Sequence, residues 1–319
     1  MLETVDQVDP AFRADVLAGL AEPTPAIPAR WLYDLRGSEL FDDITRLPSY
    51  YPTRTETALL EASMADIASL ACDGCALVEF GSGSSTKTPL LLGAINPRAY
   101  VPIDISGDYL RDSASRVDAQ FPDIPVHPVE ADFTKEVALP AAIDGLPRLG
   151  FFPGSTIGNF VPRSATDLLR HFRDILGTGS KLLIGMDRVK SVDRLIAAYD
   201  DPQGVTAKFN LNLLDRINRE LGADIPVEAF VHQARWHDMN GRVEMHLVAT
   251  RSVEFKIDGR RFAFAEGESI HTENSHKYGA RGARLLLLAG GWTPLADWTD
   301  PEEDFALILA EAQRNRFAP

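Results

Sequence analysis

The sequence predicts an α/β protein with a Rossmann-like parallel sheet and a second, inserted α+β unit. Short apolar runs alternate with amphipathic stretches from about residue 55 to residue 187, as in parallel βαβ units. The first of these runs, at 76–80, stops at a glycine-rich loop. Residues 189–277 differ in character, because Asn240-Gly241 and Asp258-Gly259 are hairpin signals flanked by strand-like runs.

The elements of the sheet follow in order along the chain. Five strands are expected first, at 76–80, 100–104, 124–129, 149–153 and 181–186. A helix over 168–176 precedes the fifth strand, opened by a capping-box-like stretch at 164–167 and closed by Gly177. The far end of the chain completes the sheet with a helix near 283–288 and strands at 292–298 and 305–310.

The inserted unit is expected to begin with a helical stretch at 189–221 and to continue with strands at 242–250, 253–257 and 260–264. The N-terminal segment up to about Arg54 is helical and punctuated by prolines, and we predict that it packs on the insertion. The predicted sheet domain is therefore 55–188 with 278–319, and the predicted second domain is 8–54 with 189–277.

Composition excludes several classes of partner. The 319 residues are 45% hydrophobic and 24% charged, as in ordinary globular proteins. The net charge of −14 repels phosphate backbones and no Lys/Arg cluster could form a basic groove, so no nucleic-acid partner is expected. No apolar run approaches the roughly 18 to 20 residues of a membrane span, and the N-terminus lacks an apolar signal core. We therefore expect a cytoplasmic monomer that acts on a small molecule.

The sequence contains no convincing metal-ligand pattern. Cys72 and Cys75 form one C-x-x-C, but structural zinc usually takes four ligands and the nearest histidine, His127, is far away. The seven histidines form no H-E-x-x-H, and His232 and His237 are interpreted as solvated residues of a strand. No metal is expected.

The loop after the first strand predicts the kind of cofactor. It reads E-x-G-x-G, and its glycines, Gly81 and Gly83, allow a ligand to approach the backbone closely. Asp104 ends the second strand 21 residues past Gly83, where a carboxylate can accept hydrogen bonds from ribose hydroxyls. Asp132-Phe133 follows the third run, where an acid can bond an adenine amino group and an aromatic ring can cover the base.

Two common nucleotide loops do not fit this stretch. Thr86 stands where G-x-G-x-x-G requires its third glycine, which argues against NAD and FAD. The same Thr86, five residues after Gly81, also excludes the phosphate loop G-x-x-x-x-G-K-[ST]. The loop with its downstream acids resembles the S-adenosylmethionine site of class I methyltransferases.

Four further strings resemble one family within that class. They are ITRLPSYYPTR at 44–54, GSTIGN at 154–159, AYDD at 198–201 and HTENSHKY at 271–278. In this order they resemble the histidine-specific, S-adenosylmethionine-dependent methyltransferases that form hercynine, the trimethylated betaine of histidine, in the first step of ergothioneine biosynthesis. The resemblance extends from about Pro28 to the C-terminus. It implies successive methylation of the α-amino nitrogen of L-histidine, a cofactor role for the sheet domain and a substrate role for the second domain.

The resemblance also implies a role for each site residue. The implied cofactor contacts are Tyr33, Gly81, Lys87, Asp104, Asp132 and Phe133. The implied contacts to the substrate's amino and carboxylate groups are Tyr50, Gly154, Asn159 and Tyr199, and those to its imidazole are Glu273, Ser275 and Met245. Tyr50 and Asn159 would be the catalytic residues. A carboxylate and a hydroxyl suit the two ring nitrogens of histidine, because one can accept and the other can donate.

The sequence is also compatible with other functions. The same fold could methylate another aromatic amine or amino acid, such as tryptophan, although an indole has no use for Glu273. A non-catalytic S-adenosylmethionine or nucleoside-binding protein is a third possibility. Each site residue also has a purely structural interpretation when it is considered alone. Tyr50 could attach a loop to the core, and residues 154–159 could form only a turn. Glu273 could be a solvated charge in a polar loop, and Met245 could be an ordinary core residue.

Overall fold

The computed structural model describes residues 9–313 and divides the chain into two compact units. The inserted unit contains the described residues up to Tyr50 and Val192–Asn274, and the sheet unit contains Tyr51–Ser191 and the described residues from Ser275 onward. The predicted domain limits at residues 8 and 319, and the acidic N-terminal residues 1–6, lie outside the described range. Between residues 9 and 313, no helix combines the length and the apolar character that crossing a bilayer requires.

The elements are numbered in chain order. The α-helices are α1 (Pro10–Gly19), α2 (Leu35–Thr45), α3 (Tyr51–Leu70), α4 (Thr88–Ile95), α5 (Gly107–Gln120), α6 (Pro162–Leu176), α7 (Val192–Tyr199), α8 (Val205–Leu221) and α9 (Ala280–Ala289). The strands are β1 (Ala76–Phe80), β2 (Ala99–Asp104), β3 (Val129–Glu130), β4 (Arg148–Phe152), β5 (Lys181–Asp187), β6 (Phe230–His237), β7 (Arg242–Ala249), β8 (Val253–Ile257), β9 (Arg260–Phe264), β10 (Ser269–His276), β11 (Trp292–Thr299) and β12 (Phe305–Ala312).

The sheet unit is built on seven strands in the order β11-β12-β5-β4-β1-β2-β3. Strands β1 to β5 are parallel, with Val78 opposite both Val101 and Gly150, whereas β12 is antiparallel to β5 and to β11. This confirms the Rossmann-like sheet. Because the carboxyl ends of parallel strands share one edge, residues that follow Phe80, Asp104 and Phe152 are placed where such sheets bind ligands.

Helices cover both faces of this sheet. Alternate residues of β1 enter opposite cores: Val78 and Phe80 pack with α6 and α9, whereas Leu77 packs with α3 and α4. Strands buried on both faces read as continuous apolar runs, which is why β1, β2, β4 and β5 could be recognised from the sequence.

Two predicted elements of the sheet unit differ from the structure. The strand expected at 124–129 is reduced to β3 and one bridge between Val126 and Tyr100, because Pro125 and Pro128 have no N–H to donate to a ladder. The helix expected to open at 164–167 is α6, which begins two residues earlier at Pro162 and has no side-chain cap. Proline suits the first helical position, since its ring presets the helical φ.

The inserted unit contains a three-stranded sheet, β10-β7-β6, and a β8-β9 hairpin. The N-terminal segment packs on this unit, where Arg216 of α8 donates to the Trp31 carbonyl at 2.9 Å and Asn212 donates to Asp34 at 2.8 Å. The helical stretch at 189–221 is two helices, α7 and α8. The break follows from Asp201, whose carboxylate accepts the first backbone N–H groups of α8.

Candidate active site

The loop after β1 has the open backbone that a nucleotide ligand requires. Gly81 and Gly83 both have positive φ, at 69° and 49°. A Cβ on Gly81 would lie 3.2 Å from the Phe133 ring, while a Cβ on Gly83 would meet nothing within 4 Å. Glu79 is buried beneath the loop, and burial raises its pKa to about 7 although hydroxyls of Tyr100 and Thr88 bond to it. Glu79 therefore supports the loop from below.

Asp104 is held against this loop by backbone groups. Its Oδ2 accepts from the Gly83 N–H at 2.9 Å, and its Oδ1 accepts from the Ser106 N–H at 2.9 Å. Burial raises the pKa of Asp104, an effect that these N–H groups oppose. The carboxylate is thus oriented before any ligand arrives, and each oxygen has further acceptor capacity.

Asp132 and Phe133 follow β3 in the same unit. The Oδ1 atom of Asp132 accepts from the Thr134 N–H at 3.0 Å and from the Thr134 hydroxyl at 2.5 Å. Phe133 packs edge-on against Phe152 and beside Gly81. The structure therefore brings Gly81, Asp104 and Phe133 to one edge of the sheet, as the sequence predicted.

A buried acid that the sequence analysis missed, Glu56 on α3, connects two of the predicted residues. It is fully buried and forms an ion pair with Lys87, and its oxygens accept the Gly154 N–H at 2.9 and 3.0 Å. The ammonium of Lys87 lies 4.0 Å from the position of a Cβ on Gly154. A signal was present in the sequence, because Glu56 occupies the apolar stripe of α3 between Pro52 and Leu59.

The segment from Gly154 to Asn159 is tightly constrained. Gly154 and Ser155 both have positive φ, and the Ser155 hydroxyl accepts the backbone N–H of Asp187 at 2.9 Å. A Cβ on Gly158 would lie 2.8 Å from the His276 carbonyl oxygen. This segment ends in a short 3₁₀ helix at Asn159, which is half-buried. The backbone therefore holds Asn159 in one place.

In the inserted unit, the predicted tyrosines form an aromatic cluster. Tyr50 and Tyr199 meet edge-on with ring centroids 6.0 Å apart, and both rings are buried. The Tyr33 hydroxyl lies 3.4 Å from Oε1 of Glu273, and burial together with Glu273 raises the pKa of Tyr33 well above its ordinary value. The structure thus places Tyr33 with the predicted imidazole contact Glu273, and its role toward the cofactor stays a prediction.

Glu273 lies on strand β10 and is buried, so the alternative interpretation of Glu273 as a solvated charge in a polar loop does not hold. The alternation of exposure along β10 breaks at Thr272-Glu273, where two consecutive side chains are buried. The Thr272 hydroxyl donates to Oδ1 of Asn210 on α8 at 2.6 Å. Met245, on the neighbouring strand β7, is also buried and its carbonyl accepts from Thr272.

His232 is a second residue whose role the sequence analysis missed. Its Nε2 lies 2.8 Å from the Tyr199 carbonyl, and its Nδ1 lies 2.9 Å from the Asn210 amide nitrogen. Burial lowers the pKa of His232, which keeps the ring neutral. The interpretation of His232 as solvated was wrong, because the ring ties the end of α7, and with it Tyr199, to β6 and α8.

Glu244, His246 and His271 of the inserted unit also lie together, with potential ligand atoms within 4.8 Å of one another. The rings of His246 and His271 are stacked 4.9 Å apart at 16°, so their nitrogen lone pairs lie in nearly parallel planes and do not converge on one ion. Arg242 already pairs with Glu244 at 2.6 Å. This arrangement is that of a hydrogen-bonded cluster. Cys72 and Cys75 are free thiols.

Ser275 belongs to the sheet unit and is buried there. Its Oγ accepts from Nζ of Lys277 at 2.7 Å, and Lys277 pairs with Asp187 at 2.6 Å. The predicted residues thus fall into two groups. One lies in the sheet unit (Gly81, Lys87, Asp104, Asp132, Phe133, Gly154, Asn159 and Ser275), and the other lies in the inserted unit (Tyr33, Tyr50, Tyr199, Met245 and Glu273).

Comparisons with known proteins agree with the resemblance seen in the motifs. Residues 12–312 match a family described as histidine-specific, S-adenosylmethionine-dependent methyltransferase. A histidine N-alpha-methyltransferase of Mycobacterium tuberculosis is 42% identical over 306 residues, with 94% of each chain covered. Its counterpart in Mycolicibacterium smegmatis is 40% identical over 316 residues, with 96% of each covered. The ergothioneine biosynthesis protein 1 of Neurospora crassa is 27% identical over 296 residues, which are 90% of this chain and 33% of the relative.

Proposed function

We propose, since the chain belongs to the family of histidine-specific, S-adenosylmethionine-dependent methyltransferases, that it transfers methyl groups from S-adenosylmethionine to the α-amino nitrogen of L-histidine. The transfer repeats until the nitrogen is quaternary, and the product is hercynine, as in the first step of ergothioneine biosynthesis. We place this reaction in the cytoplasm and assign it to a monomer, without a nucleic-acid or membrane partner.

The carboxylate of Asp104, preset by the Gly83 N–H, is the observation that best supports the cofactor assignment. A carboxylate fixed at the end of β2 suits two ribose hydroxyls, and the positive φ of Gly81 and Gly83 keeps side chains away from the ligand. When bound, S-adenosylmethionine supplies a sulfonium methyl group that an amine lone pair takes as the carbon–sulfur bond breaks. Phe133 and Asp132 are assigned to the adenine, and Lys87 and Tyr33 are further cofactor contacts in this proposal.

The substrate's amino and carboxylate groups are assigned to Tyr50, Tyr199, Gly154 and Asn159. The rate advantage of such a site comes mainly from orientation, which can contribute roughly 7 to 11 kcal/mol when nitrogen, carbon and sulfur are aligned. The ammonium form has no lone pair, so one proton must leave the nitrogen before each transfer. Tyr50 and water bonded to Asn159 are the proposed acceptors of that proton.

Substrate choice is assigned to Glu273, Ser275 and Met245. A buried carboxylate requires a hydrogen-bond donor, and the N–H of an imidazole provides one. Phenylalanine offers Glu273 no N–H group, and the indole ring of tryptophan is larger than an imidazole ring. The burial of Glu273 therefore favours histidine over the alternative aromatic substrates.

Mass spectrometry of histidine incubated with the protein and S-adenosylmethionine tests the proposal. The expected result is accumulation of the trimethylated product, with tryptophan and phenylalanine modified far more slowly in parallel reactions. The variant Asp104→Ala is the negative control, since it should require much more S-adenosylmethionine. Unmodified histidine under conditions where another amine is methylated would refute the assignment.

A further inference from the structure

A buried network of charged groups lies at the carboxyl end of β5 in the sheet unit. Oδ2 of Asp187 pairs with Nζ of Lys277 at 2.6 Å, and Oδ1 pairs with Nζ of Lys190 at 2.5 Å. The Tyr51 hydroxyl donates to the same carboxylate at 2.7 Å. Burial opposes the ionisation of Asp187, but the ammonium groups of Lys277 and Lys190 outweigh it and hold its pKa below the ordinary value. The side chain of Lys277, which is 0% exposed, thus lies in a buried ion pair with Asp187.

Lys277 uses a further N–H group to hold Ser275. Its Nζ donates to Ser275 Oγ at 2.7 Å. An ammonium group has three donors and no acceptor, so the serine oxygen can only accept in this bond. The hydroxyl proton of Ser275 is therefore directed to a different acceptor.

We infer that Lys277 is a positioning residue that presents the Ser275 hydroxyl as a hydrogen-bond donor to an unprotonated ring nitrogen of the substrate. The inference rests on the proposed function. A neutral imidazole has one N–H and one acceptor nitrogen, so the Ser275 hydroxyl would donate to the acceptor nitrogen. A nearby ammonium also disfavours a ring that carries a positive charge, because like charges repel. Lys277 would thus select the charge state and tautomer of the ring.

A double-mutant cycle measured by calorimetry tests this inference, with histidine titrated into protein saturated with S-adenosylhomocysteine. Lys277→Met and Ser275→Ala should each weaken histidine binding about tenfold or more, as expected for a charge-assisted hydrogen bond. In the Ser275→Ala protein, adding Lys277→Met should change the affinity little, because Lys277 acts through that hydroxyl. Lys277→Arg, which keeps a cationic donor, should restore much of the affinity.

Lys190→Met is the matched control, because it removes an ammonium group from the same carboxylate of Asp187 without removing the bond to Ser275. It should keep the histidine affinity, and thermal unfolding of each variant checks that the fold survives. If Lys277→Met does not fold, Lys277→Gln is used in the same cycle. Additive losses in the cycle, or an equal loss in Lys190→Met, would overturn the inference. A wild-type protein that binds S-adenosylhomocysteine but not histidine would instead overturn the proposed function.

Discussion

Replacing Asp104 by alanine should weaken the binding of S-adenosylhomocysteine by about 10- to 150-fold. The carboxylate is half-buried and is aimed by two backbone N–H groups, each 2.9 Å from an oxygen. A hydrogen bond to a charged group contributes about 1.5 to 3 kcal/mol, and each 1.4 kcal/mol corresponds to about a factor of ten in affinity. One lost ribose contact therefore accounts for the expected range, and a bidentate contact would place the result at its upper end.

Calorimetric titration of S-adenosylhomocysteine measures this effect directly. Asp104→Asn should fall between the wild type and Asp104→Ala, because the amide oxygen keeps one acceptor but loses the charge. Asp108→Ala is the control, since Asp108 is a nearby acid whose side chain is 84% exposed and pairs with Arg111. Thermal unfolding separates a loss of ligand contact from a loosened loop. Unchanged affinity in Asp104→Ala, or the same loss in Asp108→Ala, would show that Asp104 does not bind the ribose.

Three further changes have defined outcomes. Asn159→Ala should lower the single-turnover rate by about 10²-fold while weakening histidine binding much less, since misplacing a nucleophile by about 1 Å costs that much; full activity would leave this segment as a structural turn. Glu273→Ala should greatly lower kcat/KM for histidine and raise the relative preference for tryptophan, and a retained histidine preference would show that the ring is held elsewhere. Burial lowers the pKa of His246 from 6.5 to about 4, so on acidification the unfolded chain takes up this proton before the folded protein does. Wild-type stability should therefore decline between pH 6.5 and 4 by about 3 kcal/mol from this group alone, and His246→Gln should flatten that decline in urea unfolding curves; equal slopes would contradict the assignment.

The sequence predicted the parts of the fold whose signals are local. Gly81 follows the last residue of β1 and Asp104 is the last residue of β2, and the apolar runs before them are typical of buried strands. The same local rules explain the error at β3, because the prolines at 125 and 128 were visible and their missing N–H groups limit the strand. Strand β10 was not recognised because its composition is polar, and the partner of its buried Thr272 is Asn210, 62 positions earlier in the chain.

Pairings over long distances in the chain could not be predicted. Nothing near Lys277 indicates that its ammonium meets Asp187, and nothing near Gly154 indicates that its N–H meets Glu56, 98 positions earlier. By composition alone, Lys277, Asp187 and Glu56 are ordinary charged residues, and such residues are normally exposed. Which acid joins which lysine is decided by how distant segments of the chain pack together in the fold.

The place of β12 in the order of strands in the sheet has a consequence for how the protein is synthesised. β12 lies inside the sheet, between β5 and β11, although it is the last strand of the described chain. A ribosome adds about 125 residues after β5 before β12 is complete, which takes roughly 6 to 25 s at common synthesis rates. During that interval β5 presents an unpaired edge that could recruit a wrong strand. The segment made in that time includes the whole second part of the inserted unit, Val192–Asn274. Newly made chains therefore depend on late pairing, and chaperones that shield strand edges should raise the yield.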